Sequence, residues 1–377
     1  MKEVQPTTAN ELREALREAA SGGRRIRLGG GFTKETVGGT VTDAEVTIST
    51  AGLRRVLAYE PKDLTLSVEA GLPYSEMTAL LARERQMIPL DPPLDSISTV
   101  GGVVAANLSG SRRRLYGTAR DMVIGMSYCT MQGDIAETGA LVVKSVAGYD
   151  IHKLLTGSFG TLAAIASINF KVAPAPELSR TFVFTHGDAE SAAATRSGIG
   201  RSFLQPAAAD YLNPAAAQLR GLDGHVILVR AGGTERLLAR YARELSGAEV
   251  LEGDREKSLW ASVGGLAPGW LETARGLAVV KVVHPASALM EVARLGHGPV
   301  WSQALNGVTR LGCRDAAEVA EACSSGHLSL VEWSDPARRK GLELWPAPGP
   351  DLELMKQMKA VFDPDSLLNP GRLHGRI

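Results

Sequence analysis

The chain has 377 residues, 44% of them hydrophobic and 22% charged, which is typical of a globular protein too long for one compact core. Its 41 basic and 41 acidic residues balance, so the charge favours neither a nucleic-acid partner nor a disordered acidic tail. No apolar window approaches the roughly 18 residues of a membrane span, and the first residues lack the apolar core of a signal peptide, so we expect a cytoplasmic protein with no direct membrane span, held peripherally at the inner membrane at most through partners.

The first predicted elements follow the order helix, strand, glycine turn. Thr8-Ala-Asn-Glu11 is a capping-box pattern, and apolar residues at helical spacing follow it up to Gly22. Residues 24–28 predict a short strand that ends at Gly29-Gly-Gly31. A Rossmann fingerprint needs a strand, a glycine turn and then a helix, but the residues after these glycines do not have a helical pattern. The order therefore argues against a nicotinamide-binding Rossmann unit.

The middle of the first half contains three glycine-centred segments. The predicted elements here are a strand over 64–70, a helix over 73–86 that starts at a proline, a long loop system over 89–119, and buried strands over 141–146 and 162–172. The glycine-centred segments are 98–107, 146–150 and 157–162. Each offers bare backbone beside a small hydroxyl or amide, which suits a long, phosphate-bearing dinucleotide.

Two of the glycine turns are candidate anion sites. Successive backbone N–H groups in such a turn form a nest that binds anions without charged side chains, and Gly29–Gly31 and Thr99–Gly102 have this composition. Each is equally well explained as a tight turn. The nearby cations Arg112, Arg113, Arg114, Arg120 and Lys144 lie close to these turns in the sequence. Tyr149 and Asp150 are candidates for hydrogen bonds to a cofactor, or Asp150 caps the helix that starts at Ile151.

A second domain follows Pro174-Ala-Pro176. Predicted strands over 181–185, 225–230, 278–283 and 328–333 alternate with predicted helices over 188–197, 234–245, 286–295 and 315–323. This alternation predicts an antiparallel sheet with helices packed on one face.

The cysteines and histidines do not form a metal-binding pattern. Cys129, Cys313 and Cys323 contain no C-x-x-C pair, so the chain cannot supply four cysteines to an iron–sulfur cluster, and we expect three buried structural thiols. None of the seven histidines has zinc-type spacing, and we expect no metal site. His284 is a weak candidate for a catalytic base. The absence of G-x-S-x-G and of a P-loop motif argues against an α/β-hydrolase and a P-loop NTPase.

The order of the motifs resembles the FAD-binding domain of the vanillyl-alcohol-oxidase / p-cresol-methylhydroxylase (PCMH) superfamily. The matching motifs are 28–33, 66–71, 92–93, 98–103, 116–121, 144–150, 157–162 and the closing Asn369-Pro-Gly-Arg372. Within this superfamily, 90–93, 108–113, 119–121 and 143–150 resemble the FAD-binding small (E) subunit of bacterial glycolate oxidase. The resemblance implies an α+β fold with a PCMH-type two-subdomain FAD-binding domain (1–175), a smaller antiparallel α/β cap domain (177–335) and a C-terminal segment (351–377) that returns to the flavin site.

The resemblance also implies the cofactor contacts. By position, Gly29, Gly30, Gly31, Phe32, Thr33, Ser98, Thr99, Val100, Gly101 and Gly102 hold the pyrophosphate. The adenosine and ribityl parts are lined by Gly148, Tyr149, Gly157, Gly160 and Leu162, and Asn369 approaches the isoalloxazine. The same motifs add Pro93, Asn107, Gly110, Tyr116, Gly117, Asp121, Lys144 and Ala147. Members with covalent flavin often carry a histidine after the first glycines, whereas this chain has Phe32, so noncovalent FAD is expected.

A departure from the superfamily decides the expected function. Catalytic 2-hydroxyacid dehydrogenases of this superfamily carry a histidine-rich metal segment of Gly-Asp-Gly-Asn type in the second domain, and this chain has none. We therefore expect the FAD-binding subunit of a glycolate (2-hydroxyacid) oxidase or dehydrogenase complex, which takes part in flavin-mediated electron transfer. Its expected partners are a catalytic flavoprotein subunit, an iron–sulfur subunit and a small hydroxyacid substrate, and no catalytic residue is assigned to this chain.

Two alternatives stay open at this point. The first is a self-sufficient FAD-dependent alcohol or hydroxyacid oxidoreductase with His284 or Tyr211 as the base. The second is a non-catalytic scaffold subunit.

Overall fold

The computed structural model describes residues 2–141, 148–273, 275–375 and 377. The chain divides into two compact units. The first unit comprises Met1–Ser109, Gly117–Ala175 and Ala347–Ile377, and the second comprises Gly110–Tyr116 and Pro176–Pro346.

The strands and helices alternate along the whole chain. The strands are β1 (Lys2–Val4), β2 (Ile26–Gly29), β3 (Val46–Ser49), β4 (Val56–Glu60), β5 (Thr65–Glu69), β6 (Gln86–Met87), β7 (Val123–Cys129), β8 (Ile135–Gly139), β9 (Ala164–Lys171), β10 (Ala173–Pro174), β11 (Leu178–His186), β12 (Ala208–Leu212), β13 (His225–Gly233), β14 (Glu249–Glu252), β15 (Ala278–Val283), β16 (Val300–Gln303), β17 (Val308–Cys313) and β18 (Leu328–Ser334). The helices are α1 (Ala9–Ser21), α2 (Tyr74–Arg83), α3 (Val100–Ala106), α4 (Arg113–Tyr116), α5 (Ala119–Met122), α6 (Ile151–Leu155), α7 (Ala189–Arg201), α8 (Pro214–Gln218), α9 (Glu235–Glu244), α10 (Gly253–Gly264), α11 (Leu266–Glu272), α12 (Leu289–Ala293), α13 (Ala316–Cys323) and α14 (Asp351–Phe362).

The first unit is built on two sheets. A three-stranded parallel sheet has the order β1-β3-β2, and a five-stranded antiparallel sheet has the order β4-β5-β9-β7-β8. The apolar stripe of α1, formed by Leu12 and Leu16, is fully buried against Ile26 and Ile48 of the parallel sheet and Leu368 of the C-terminal tail. Burial of this apolar surface joins the tail and the N-terminal sheet in one core.

The start of α1 shows how the sequence sets a boundary. Thr8 is the N-cap, and its Oγ1 accepts a hydrogen bond from the Glu11 backbone N–H at 3.2 Å, as the capping-box pattern predicts. The return bond differs, because Glu11 Oε2 accepts from the backbone N–H of Thr7 at 2.8 Å. Gly22 ends the helix at the predicted position.

The loop predicted over residues 89–119 contains a helix. Helix α3 occupies Val100–Ala106 and is capped by Thr99, whose Oγ1 accepts a hydrogen bond from Gly102 N–H at 3.2 Å. Two adjacent glycines and several valines have low helix propensity, which is why the sequence favoured a loop. Burial of Val100, Val103 and Val104 in the first unit outweighs that propensity.

The second unit contains the predicted antiparallel sheet. Eight strands have the order β14-β11-β13-β12-β16-β17-β15-β18, and every neighbouring pair is antiparallel. One face, which includes Phe182 and Val229, forms the main core of this unit. Helix α10 contacts residues of the opposite face, because Glu256 accepts from Arg230 Nε at 2.9 Å and Trp260 Nε1 donates to Thr181 Oγ1 at 2.7 Å. The prediction of helices on one face alone was therefore wrong.

The cysteines differ in their surroundings. Cys129 and Cys313 are buried, and burial raises the pKa of their thiols to about 11 and about 12. Both are inert structural thiols, as expected. Cys323 is exposed, so the prediction of a third buried thiol was wrong.

Across the described residues, none of the helices combines the length and the apolar character that crossing a bilayer requires.

Candidate functional site

The first glycine turn leaves backbone donors free. It follows β2 and continues to Lys34, and Gly30 packs so closely on Thr99 that an added Cβ would lie 2.1 Å from Thr99 Oγ1. Among the described residues, no acceptor takes a hydrogen bond from the backbone N–H groups of residues 31–34. Such a series of unpaired N–H groups is the donor set of an anion nest. We call residues 29–34 the open glycine loop.

Phe32 holds the open glycine loop in an unusual conformation. Its φ of 52° lies in the left-handed region that bulky residues rarely adopt. An added Cβ on Gly29 would lie 2.6 Å from the Phe32 ring, so only glycine leaves room for this ring. On the other side, the Arg27 guanidinium lies 4.2 Å from the ring centroid and forms an ion pair with Glu35. These contacts fix the curvature of the loop.

Lys34 places a buried ammonium at the end of the open glycine loop. Its Nζ donates to Ser98 Oγ at 2.6 Å and to Thr33 Oγ1 at 3.3 Å, and only 7% of the residue is exposed. No carboxylate among the described residues forms an ion pair with it. Burial lowers the pKa of the Lys34 ammonium to about 8. Sequence reasoning missed Lys34, because a lone lysine after glycines has the pattern of a surface residue.

The second glycine segment is not a nest. The backbone N–H of Val100 donates to Leu72 O at 2.9 Å and that of Gly101 donates to Ala70 O at 2.7 Å. The backbone N–H of Gly102 is taken by the Thr99 cap. The prediction of an anion nest at Thr99–Gly102 was therefore wrong, because α3 and its neighbours use those donors. The side chains of Ser98 and Thr99 still face the open glycine loop, through Lys34 and Gly30.

The third glycine segment is a turn that packs on the end of α3. Gly157 N–H donates to Val104 O at 3.1 Å, and Phe159 N–H donates to Ala105 O at 2.8 Å. The φ values of Gly157 (87°) and Gly160 (67°) are in the region that favours glycine. An added Cβ on Gly157 would lie 3.3 Å from the Cβ of Asn107, so glycine permits the close approach.

Three polar atoms in the first unit are buried without a hydrogen-bond partner among the described residues. They are Asn107 Oδ1, Ser109 Oγ and Ser158 Oγ. They follow α3 in sequence or belong to the turn that packs on its end. Buried polar groups without partners are uncommon and mark the place of a missing partner. Asn107 was predicted as a cofactor contact, whereas Ser109 and Ser158 were missed because isolated serines carry no sequence signal.

The C-terminal tail joins the open glycine loop to the third glycine segment. Asn369 Nδ2 donates to Leu28 O at 3.0 Å and to Phe159 O at 2.9 Å, and Asn369 Oδ1 accepts from Leu28 N–H at 2.7 Å. Arg372 donates to Lys34 O and Gly39 O at 2.6 and 2.5 Å. Asn369 therefore acts as a bridge between loops. Its predicted approach to an isoalloxazine ring stays a prediction.

A buried ion pair anchors this tail. Lys359 Nζ lies 2.7 Å from Asp363 Oδ2, and the two residues are 4% and 1% exposed. The same ammonium donates to Thr161 O at 2.7 Å and to Leu368 O at 2.8 Å. Asp363 also accepts the backbone N–H groups of Leu367 and Leu368. The pair therefore holds the end of the third glycine segment and the tail in one network.

The other predicted cofactor residues are spread over both units. Lys144, Ala147 and the predicted strand over 141–146 lie outside the described residues, apart from Leu141. Gly110 and Tyr116 belong to the second unit. Pro93 is partly buried, Leu162 is buried, and Gly148 has open space where a Cβ would stand.

Two acidic residues of these motifs have structural roles. Asp121 Oδ2 accepts from Thr118 N–H at 2.8 Å in a capping box, beside Gly117 with its φ of 86°. Asp150 makes no side-chain cap to α6 and instead pairs with Lys153 at 2.5 Å, so the expectation of an Asp150 cap was wrong. The neighbouring Tyr149 is 88% exposed.

The two candidate bases of the second unit are engaged in its interior. Tyr211 is in the main core, its hydroxyl lies 2.8 Å from His225 Nδ1, and burial raises its pKa to about 12. His284 Nδ1 lies 2.8 Å from Pro285 O and Nε2 lies 2.7 Å from Thr309 Oγ1. Burial lowers the pKa of His284. With both ring nitrogens in hydrogen bonds, His284 has no nitrogen directed at a substrate, and Tyr211 stays protonated at neutral pH.

Comparisons with known protein families agree with this geometry. Residues 2–139 match the model of an FAD binding domain, and residues 347–373 match that of the FAD linked oxidases, C-terminal domain. The first match contains the open glycine loop and α3, and the second contains the tail anchored by Lys359 and Asn369.

Known relatives show the same class. The chain is 27% identical to glycolate oxidase subunit GlcE of Escherichia coli (strain K12), over 97% of both chains. It is 33% identical over 177 residues to glycolate oxidase subunit GlcD of Bacillus subtilis (strain 168), which covers 47% of this chain but only 38% of that relative. Among solved structures, p-cresol methylhydroxylase with substrate bound matches the fold with a TM-score of 0.75 and 13% identity, over 99% of this chain and 88% of that one.

The fold and the site define a flavoprotein of PCMH type. The chain belongs to the FAD-linked oxidoreductases that carry this FAD-binding domain. The residues present fit FAD, because the open glycine loop offers free N–H donors and a buried cation for the diphosphate. The unpaired atoms of Asn107, Ser109 and Ser158 offer polar partners for the rest of the cofactor.

Proposed function

We propose that this chain is the FAD-binding subunit of a glycolate or related 2-hydroxyacid dehydrogenase complex, and that its FAD is bound noncovalently. The observation that carries the proposal is the similarity to a glycolate oxidase subunit that extends over 97% of both chains. When bound, FAD supplies the redox chemistry that accepts and passes on electrons. The proposed partners are a catalytic flavoprotein subunit and an iron–sulfur subunit.

The surroundings of the candidate bases support a division of labour between subunits. Oxidation of a hydroxyacid needs a base within hydrogen-bond reach of the substrate hydroxyl. Tyr211 is in the core of the second unit, and both nitrogens of His284 are already bonded. In this proposal a partner therefore provides the base for the substrate. The residues of this chain bind and orient FAD and shield it from water.

Phe32 supports the noncovalent attachment. A covalent link to the flavin needs a nucleophilic side chain such as histidine, and a phenyl ring cannot provide one. The Phe32 ring is also held between Gly29 and Arg27, where it fixes the open glycine loop.

The test compares the chain alone with the chain in its complex. A tagged chain is expressed in its own organism, its partners are purified with it, and the chain alone is loaded with FAD as the reference. We expect glycolate-dependent reduction of an artificial dye by the complex only, with iron–sulfur absorbance in the complex and release of FAD from the chain by acid. Equal dye reduction by the isolated, FAD-loaded chain would contradict the proposal.

A further inference from the structure

The buried ammonium of Lys34 has no counter-ion among the described residues. Its two neighbours, Ser98 Oγ and Thr33 Oγ1, are neutral, and Ser98 Oγ itself donates to Leu94 O at 2.6 Å. A buried charge is costly unless an opposite charge compensates it. The position of Lys34 therefore requires an anion or the loss of its proton.

The charges on the surrounding elements are engaged elsewhere. On β2, Arg27 pairs with Glu35, which belongs to the same loop as Lys34. On the tail, Arg372 donates to the backbone carbonyl of Lys34 and adds positive charge. Asp95, before α3, is in an exposed turn. None of these groups neutralises the ammonium, and burial is the cause of its lowered pKa.

We propose that Lys34 is the charge partner of the FAD diphosphate, whose oxygens complete the hydrogen bonds of the ammonium beside the free N–H groups of the open glycine loop. The inference rests on FAD binding and is independent of the proposed complex. An N⁺–H···O⁻ contact is a charge-assisted hydrogen bond of the stronger kind. Lys34 then selects a dinucleotide over a flavin that lacks the diphosphate.

The proposal couples FAD binding to a proton. The free protein has a Lys34 pKa of about 8, and the diphosphate anion raises it in the complex. Below about pH 8 the lysine is charged in both states, so affinity for FAD is constant. Above it, binding takes up a proton, so affinity falls with rising pH, by up to about tenfold for each pH unit. Near pH 8 about half a proton enters for each FAD bound.

The experiment is calorimetric titration of the FAD-free chain at pH 8 in two buffers with different ionisation enthalpies, with Kd measured from pH 6.5 to 9.5. We expect uptake of about half a proton in the unaltered chain and none in Lys34→Met, with FAD binding weakened about 10- to 100-fold at pH 7. Lys257→Met removes an exposed lysine of the second unit, and this control retains both the uptake and the affinity.

Ligands that are parts of FAD separate a charge contact from a structural role. Lys34→Met is expected to weaken ADP, which carries a diphosphate, and to leave riboflavin binding unchanged. Equal weakening of both ligands, or no proton uptake by the unaltered chain, overturns the proposal. If Lys34→Met does not fold, the proton uptake and the pH dependence of the unaltered chain decide alone.

Discussion

The open glycine loop and the segment Thr99–Gly102 have similar compositions but use their backbones in opposite ways. In the first, the N–H groups of residues 31–34 meet no acceptor among the described residues. In the second, Leu72 O, Ala70 O and Thr99 Oγ1 accept the N–H groups of three successive residues. Glycine content therefore shows where backbones approach closely, whereas the fate of each N–H decides whether an anion can bind.

The largest expected effect concerns the tail that supports the open glycine loop. Lys359→Met leaves Asp363 as a buried charge without its cation, which is expected to cost about 3–5 kcal/mol of unfolding free energy. Urea unfolding of the FAD-free chain measures it.

The control for this variant is Lys356→Met on the same helix. Lys356 has an exposed partner, Glu353, and removal of such a pair costs at most about 1 kcal/mol. Equal losses for the two variants would show that the buried pair does not anchor the tail.

The next effect sharpens the comparison between the two glycine segments with one type of substitution. In Gly101→Ala the new Cβ would lie 2.9 Å from Ala70 O, and overpacking is expected to cost about 1–3 kcal/mol of unfolding free energy. In Gly31→Ala the nearest atom is Ile97 O at 3.3 Å, so stability changes little. The new methyl group of Gly31→Ala occupies the approach to the free N–H groups, and we expect FAD affinity to fall about tenfold.

Both variants are compared by urea unfolding without FAD and by titration with FAD. The comparison fails if Gly31→Ala binds FAD like the unaltered chain while Gly101→Ala, although folded, loses affinity.

The smallest expected effect tests the unpaired polar atoms. Ser158→Ala removes a buried hydroxyl that has no partner in the described structure, so stability of the FAD-free chain stays equal or rises by up to about 1 kcal/mol. Affinity for FAD falls about three- to tenfold, because the hydroxyl loses its ligand partner. Thermal unfolding with and without FAD measures both.

Thr161→Val is the matched control, because Thr161 Oγ1 donates to Ser158 O within the protein. It is expected to lower the stability of the FAD-free chain. An unchanged FAD affinity for Ser158→Ala would exclude this hydroxyl from the site.

Much of the local structure was predictable from the sequence. The Thr8 cap, the strand over Thr65–Glu69 and the helix after Pro73 depend on residues that are neighbours in the chain. Local hydrogen bonds and alternation of apolar residues determine such elements. The succession of glycine motifs likewise predicted the FAD-binding class.

The rest depends on residues that are distant in sequence. The acceptors that use the N–H groups of Val100 and Gly101 come from about thirty residues earlier, so the sequence could not distinguish a nest from a helix start. The burial of Lys34 results from packing against Ser98, which lies 64 positions later. The bridge made by Asn369 spans 341 positions to Leu28.

The most direct test of the account is hydrogen exchange at the amides of the two glycine segments, with and without FAD. The account predicts fast exchange at residues 31–34 in the FAD-free chain and strong protection when FAD binds. The amides of Val100 to Gly102 are predicted to exchange slowly in both states. Unchanged exchange at residues 31–34 on FAD binding would contradict the central claim that the open glycine loop holds the cofactor.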